Sequence, residues 1–352
     1  MQALITRPGQ PDSTHVGNRP EPRADRNGIR LRTLEVGVCG TDREISDGSF
    51  GEAPAGEREL ILGHELLAEV LDDIAGYRAG DFVTATVRRS CGLCEACAEG
   101  GSDSCETGKY TERGITQLDG FAREVVIEDP SQLIVIPASL GRLGVLTEPA
   151  SVCARAIRHT WLVGERQPWR PRRALVIGSG AIGMIATYML RLRGLEVWTA
   201  SRGPSSTPRA ELVTASGASY VSTAEVTLTD LQEEIGGFDV VIEAAGDAQV
   251  MLNVLGLLRR NGVGCLLGID SHERAVSIAS STIGVDAVIQ NRVLIGSVNA
   301  HIDDWRAAVA ALEQIHRKWP HVLDAMVGLR VTPDRFADAF AFDGVKATLV
   351  FD

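Results

Sequence analysis

RRALVIGSGAIGMIATYMLRLRG (172–194) runs from an apolar stretch through a glycine-rich turn into an apolar-rich helical pattern that Gly194 ends. Inside it, Gly178-Ser179-Gly180-Ala181-Ile182-Gly183 has the spacing G-x-G-x-x-G. Between a strand and a helix, that spacing points to a dinucleotide site. The first glycine permits a tight turn, the second lets backbone approach a pyrophosphate, and the third lets helix and strand pack closely. Phosphates would meet free N–H groups at the positive end of a helix dipole. The competing reading is a glycine-rich turn that binds nothing.

The same alternation continues outward. A second strand, EVWTASR (196–202), is followed by SYVS, FDVVIEAAG (238–246), a helix DAQVMLNVLGLLRRNG and a strand VGCLLGI (263–269). Strands alternating with helices predict a parallel, doubly wound sheet, and hence an α/β class for this part. After VLIGSVN (293–299) come a helix, DDWRAAVAALEQIHRKW, and a short tail ending ATLVFD. Upstream, residues 1 to about 155 read as β-segments and turns: IRLRTLEVGV, LLAEVLDDI, GDFVTATV, GFAREVVIED. VGERQPWRPRR (163–173) reads as a boundary between the two regions.

The 352 residues suffice for two domains with cores of their own. With 44% hydrophobic and 23% charged residues, the composition is that of a soluble globular protein. No apolar run reaches the roughly 18 residues of a membrane span. The start MQALITRPGQ lacks a basic flank followed by an apolar core, so a cytoplasmic location is expected. A formal net charge of −11 argues against a nucleic-acid partner.

The second strand of the nucleotide motif ends Thr199-Ala200-Ser201-Arg202-Gly203, with no acid to hold a ribose 2′-hydroxyl. Ser201 offers a donor and Arg202 a planar charged fork suited to a 2′-phosphate. NADP is therefore expected as the preferred coenzyme, with NAD tolerated; a solvated surface arginine is the alternative.

Four of the seven cysteines, Cys91, Cys94, Cys97 and Cys105, fall within CGLCEACAEGGSDSC (91–105). In a chain read as cytoplasmic, such a cluster favours metal over disulfides. Four thiolates close a tetrahedron round Zn²⁺ and leave no open position, so this would be a structural site; an iron–sulfur cluster competes. Chemistry must then lie elsewhere. Cys39 in VCGTD, His64-Glu65 in LGHEL and Glu148 in LTEPA are the candidates. Singly they read as a small buried thiol, a satisfied polar pair and a helix N-terminal acid. Together they describe an open zinc site with room for water.

Cys39-Gly40-Thr41-Asp42, Gly63-His64-Glu65, the four-cysteine lobe, Glu148-Pro149 and the glycine motif occur in one order. That order resembles the zinc-dependent medium-chain dehydrogenases, and most of all their archaeal-type glucose 1-dehydrogenase branch. VGVCGTDREI, LILGHE, TVRRSCGLC, CETGKYTERGI, LDGFAREVV and IGSVNAHIDDW extend the resemblance over nearly the whole chain. It implies a GroES-like, β-rich catalytic domain from residues 1–155 and 297–352, with a Rossmann coenzyme domain at 156–296 inserted between. It also implies a catalytic zinc among Cys39, His64, Glu65 and Glu148, and a proton relay that begins at Thr41. Thr41, Glu112, Glu148 and Asn299 match positions around the substrate, the last three contacting sugar hydroxyls. Leu267-Gly268-Ile269 and Ser297-Val298-Asn299 match segments that line the nicotinamide. Some relatives carry an asparagine where this chain has Val87, which bears on epimer preference. A homo-tetramer is implied, with a dimer as the fallback.

The expected reaction is oxidation of the C1 hydroxyl of an aldose, foremost D-glucose to D-glucono-1,5-lactone, with hydride transfer to NADP⁺ and two Zn²⁺ per subunit, one catalytic and one structural. Another aldose, a polyol or a secondary alcohol would use the same zinc and coenzyme motifs. A non-catalytic zinc- and nucleotide-binding regulator is the reading of a different class.

Overall fold

Alternating apolar residues at the start of IRLRTLEVGV give way to continuous burial from Thr33 onward, and the strand Ile29–Val38 becomes the spine of a sheet. The computed structural model describes residues 1–23, 28–74, 76–271 and 273–351. The chain divides into one unit of 1–151, 299–313 and 327–352, and a second of 152–298 and 314–326.

In the first unit, Ile29–Val38 pairs antiparallel with Glu65–Val70 on one edge. Along its other edge lie Val125–Glu128 and Lys346–Val350. The register decides what meets at the end of the spine. Gly37 stands opposite both Glu65 and Thr348, and Val38 opposite Ala347. Cys39, His64-Glu65 and Lys346 therefore converge at one sheet end although they come from three parts of the chain. The backbone opposite Glu65 has to be bare. A Cβ on Gly37 would lie 1.9 Å from a Glu65 carboxylate oxygen.

The second unit is a six-stranded sheet in which every pairing is parallel. Its order is Ser219–Ser222, Glu196–Ser201, Arg173–Ile177, Phe238–Glu243, Leu258–Leu266, Val293–Gly296. This is the doubly wound dinucleotide-binding order, in which strand order reverses beside the first strand. Leu175, Ile177, Val241, Val254 and Leu257 form its core with Phe238, whose ring meets Trp198 edge-on at 5.6 Å. Each such large side chain contributes about 1.5–3 kcal/mol through burial.

Three expectations are corrected. The helical reading of DAQVMLNVLGLLRRNG holds only for Ala248–Leu257. Leu258 is already extended and pairs with Phe238, so sheet pairing overrides the helical period. VGERQPWRPRR is not the boundary. The helix Thr147–Gly164 carries the chain across, and the units part after Ser151. The tail from 297 does not go wholly with the β-rich unit either. Residues 314–326 belong to the second one, where Trp319 lies 5.9 Å from the buried ring of Tyr188. Among the described residues, no helix is long and apolar enough to cross a membrane.

Candidate active site and coenzyme site

Cys39 caps the short helix Gly40–Ser46: its Sγ accepts from Thr41 N–H at 3.2 Å, and Asp42 returns the bond by accepting from Cys39 N–H at 2.9 Å. CGTD is thus a helix start that fixes a thiol and a carboxylate a few ångströms apart. The Sγ of Cys39 is 3.0 Å from His64 Nε2. Behind the ring, His64 Nδ1 is 3.4 Å from Asp42 Oδ1. Ligand atoms of Cys39, His64 and Glu65 all lie within 4.8 Å of one another.

These three supply soft, borderline and hard donors, a set that suits zinc and leaves a coordination position open. The fit extends one layer back. A metal-binding histidine ordinarily gives its other ring nitrogen to a carboxylate, which fixes its tautomer, and Asp42 occupies that place. Burial opposes a charge on His64, but Cys39 and Asp42 outweigh it and hold its pKa well above the ordinary value. Burial also opposes charge on Asp42, yet His64 brings its pKa below the usual carboxylate range.

Glu148 sits in the first turn of Thr147–Gly164 and is not one of the three clustered ligands. Burial, with Glu65 nearby and His64 opposing, pushes its carboxyl up to about 7. Glu65 is committed elsewhere as well. Lys346 Nζ reaches both its carboxylate oxygens, at 2.6 and 2.7 Å.

Glu112 and Asn299, 187 residues apart, are joined by a bond from Asn299 Nδ2 to Glu112 Oε1 at 3.0 Å. Asn299 holds a left-handed backbone, φ +63°, that its own Oδ1 braces by accepting from Ala300 N–H at 2.7 Å. Arg88 Nε binds the same Glu112 oxygen at 2.9 Å.

The four lobe cysteines also converge. Their sulfurs lie within 4.8 Å of one another, with Cys91–Cys94 at 3.6 Å and Cys94–Cys105 at 4.0 Å. Thiolates at about 2.3 Å round one tetrahedral zinc would stand about 3.8 Å apart. The spacing fits a single ion; a multi-iron cluster needs its thiolates spread over several metals.

In the second unit, Gly178 adopts φ +107°, closed to side chains, at the end of Arg173–Ile177. A Cβ on Gly183 would fall 1.9 Å from the Gly178 carbonyl oxygen, whereas one on Gly180 would meet nothing within 4 Å. The third glycine seals helix to strand and the second faces open space. No side chain caps the helix Ala181–Leu192, so its first N–H groups at Ala181 and Ile182 are left for a ligand. Ser179 Oγ donates to Ser201 Oγ at 2.9 Å, and Arg202 beside it is exposed.

Leu267 and Gly268 both donate backbone N–H to the Glu243 carbonyl, and Ser297 donates to the Leu266 carbonyl. Ile269 and Val298 expose 69% and 55% of their surface.

Sequence reasoning missed four residues. Asp42 was in view in CGTD, and its capping-box position was the available signal. Glu243, which accepts from Ala245 and Gly246 N–H at 2.8 and 2.9 Å, lay in FDVVIEAAG unremarked. Lys346 and Arg88 carried no local signal, because their partners are distant in sequence.

Comparisons with known proteins agree with this architecture. Residues 25–138 match the family described as alcohol dehydrogenase GroES-like domain, and 141–351 match glucose dehydrogenase C-terminus. Glucose 1-dehydrogenase of Methanocella arvoryzae is 38% identical over 335 residues, covering 94% of this chain and 93% of that one. Glucose 1-dehydrogenase 1 of Caldivirga maquilingensis is 36% identical, covering 99% and 98%. The structure of Haloferax mediterranei glucose dehydrogenase in complex with NADP, Zn and gluconolactone superimposes with a TM-score of 0.93. It is 30% identical and covers 100% of this chain and 99% of that one. The chain belongs to the zinc-dependent medium-chain dehydrogenases, in their glucose 1-dehydrogenase branch.

Proposed function

We propose that this enzyme oxidises the C1 hydroxyl of an aldose, D-glucose foremost, to D-glucono-1,5-lactone, with NADP⁺ as preferred hydride acceptor and NAD⁺ also accepted. The observation that carries the reading is the convergence of Cys39, His64 and Glu65 with Asp42 behind the histidine. The NADP, zinc and gluconolactone bound by the Haloferax relative support it.

Cys39, His64 and one of Glu65 and Glu148 would hold a zinc ion, which when bound supplies a Lewis acid that eases loss of the hydroxyl proton near neutral pH. Asp42, whose Oδ1 is 3.4 Å from His64 Nδ1, would favour the tautomer that presents Nε2. Glu148 or the Thr41 hydroxyl would take the proton on, through water. Glu112, Glu148 and Asn299 would orient the pyranose through its hydroxyls, carboxylates accepting and the amide donating. The glycine motif and its helix start would bind the coenzyme pyrophosphate, and Ser201 and Arg202 the 2′-phosphate. Leu267 to Ile269 and Ser297 to Asn299 would set the nicotinamide, whose hydride chemistry is its own. Cys91, Cys94, Cys97 and Cys105 would hold the second, structural zinc.

Val87 favours a second reading within the class. It is buried and apolar, so it cannot bond the hydroxyl that an asparagine would read, and an epimer of glucose would then compete. Steady-state assay of an aldose, polyol and alcohol panel with both coenzymes tests the proposal. Highest kcat/KM for glucose with NADP⁺ is expected; a faster polyol or simple alcohol would overturn it.

A cytoplasmic homo-tetramer is the proposed form, with a dimer as fallback. Among the described residues, Val293–Gly296 is paired on one side only, and the segment before it exposes Val285, Val288 and Ile289. A second copy would cover both. Light scattering after size exclusion measures the assembly.

A further inference from the structure

Arg88 lies three residues before the first lobe cysteine and is almost fully buried. It stands directly opposite Glu112 in an antiparallel pair. Its guanidinium is held on three sides. Nε donates to Glu112 Oε1 at 2.9 Å, one terminal nitrogen donates to the Asp103 carbonyl at 3.1 Å, and the plane stacks 3.7 Å from the Tyr110 ring centre. Ser102 Oγ bonds back to the Arg88 carbonyl, so the turn Ser102–Ser104 grips the arginine at both ends. That turn runs directly into Cys105, the fourth lobe thiol.

Two donors, Arg88 Nε and Asn299 Nδ2, meet on Glu112 Oε1. No described residue bonds Oε2, which is left to accept from a ligand. The next turn ties this carboxylate to the metal cluster's own segment, since a Cβ on Gly114 would lie 2.4 Å from the carbonyl of Gly63, the neighbour of His64.

We infer that Arg88 is a positioning residue through which the four-cysteine lobe sets sugar affinity. The lobe fixes the Ser102–Ser104 turn, the turn and Tyr110 fix the guanidinium, and the guanidinium aims Glu112 Oε2 at a sugar hydroxyl. The inference rests on the sugar-binding role proposed above. It gives the lobe a task beyond stability: its metal governs KM for the sugar and leaves the hydride step alone. A lysine could not replace Arg88, because only the planar fork stacks and donates in two directions at once.

The test uses the intact zinc-loaded enzyme. Arg88→Gln should raise KM for glucose about 10- to 100-fold, the cost of losing a charged hydrogen bond that aims a ligand group. Calorimetric affinity for D-glucono-1,5-lactone should fall by the same factor. kcat, KM for NADP⁺ and a zinc content of two per subunit should hold, and Arg88→Lys should not rescue. Cys97→Ser with Cys105→Ser, which empties the lobe and leaves one zinc per subunit, should raise KM for glucose and weaken lactone binding by the same factor, and adding Arg88→Gln should make neither worse. Tyr110→Leu, which removes only the stacking face, serves if the lobe variant does not fold, and should raise the same KM. Unchanged sugar KM and lactone affinity in Arg88→Gln, or effects that add to those of the lobe, would overturn the inference. A wild-type enzyme that oxidises no aldose would instead sink the proposed function.

Discussion

Lys346 and Glu65, 281 residues apart, form a buried ion pair in which the ammonium contacts both carboxylate oxygens and also donates to the Val38 carbonyl at 3.1 Å. The pair follows from the sheet register, which sets Val38 opposite Ala347 and Gly37 opposite Glu65. Burial alone would lower the lysine pKa, but Glu65 outweighs it and raises it, so the ammonium stays charged. Lys346→Met leaves the buried Glu65 carboxyl without its partner. A loss of about 3–5 kcal/mol in unfolding free energy is expected, read by denaturant titration. A loss below about 1 kcal/mol would place the pair in the class of solvent-screened bridges.

Asp42→Asn keeps a cap acceptor on Cys39 N–H but removes the carboxylate that orients His64. Zinc affinity should drop about 10- to 100-fold while coenzyme binding is untouched, measured by chelator competition. Equal zinc affinity in the variant would mean that the 3.4 Å approach to His64 does no positioning.

As the proposed ligands, Cys39 and His64 would bind zinc in competition with protons, because only a thiolate and a free ring nitrogen bind it. Reloading the metal-free enzyme should therefore release protons, and affinity should climb with pH through the neutral range. Calorimetry in buffers of different ionisation enthalpy counts them. A pH-independent affinity would exclude both groups as ligands.

Arg202→Ala should raise KM for NADP⁺ about tenfold or more and leave KM for NAD⁺ within about twofold, since the contact proposed for it is to a charged phosphate. Equal effects on both coenzymes would place the arginine outside the 2′-phosphate site.

Gly183→Ala puts a methyl where the Gly178 carbonyl oxygen stands, 1.9 Å away and on rigid backbone. Coenzyme binding should be lost and the Ala181–Leu192 helix displaced. An alanine variant with wild-type NADP⁺ titration would show that this helix and strand are not closely sealed.

The nucleotide fold was legible because its signals are local: an apolar strand, three spaced glycines and a helix ended by Gly194. The four-cysteine lobe was legible for the same reason, being confined to fifteen residues. Harder to read were features made by pairing. Leu258 to Asn261 carry a helical pattern, but Leu258 pairs with Phe238 as strand, and Asn261 takes a left-handed φ of +67° that would interrupt a helix. Glu148 beside Pro149 reads as a helix N-terminal acid, but nothing there gives the length of the helix Thr147–Gly164 that it opens. Glu112 and Asn299 came from resemblance. Nothing local in either segment tells of Arg88, whose three partners lie 15 to 24 residues away and meet it only after the lobe has folded.

Stepwise removal of zinc from the purified enzyme with a mild chelator, following metal content, glucose oxidation with NADP⁺ and far-ultraviolet dichroism together, separates the role of the open cluster from that of the lobe. The zinc of the open cluster should leave first and take all activity with it, while fold and NADP⁺ binding persist, and His64→Ala should already behave this way. Undiminished glucose oxidation in His64→Ala, with only the lobe zinc retained, would contradict that division of roles.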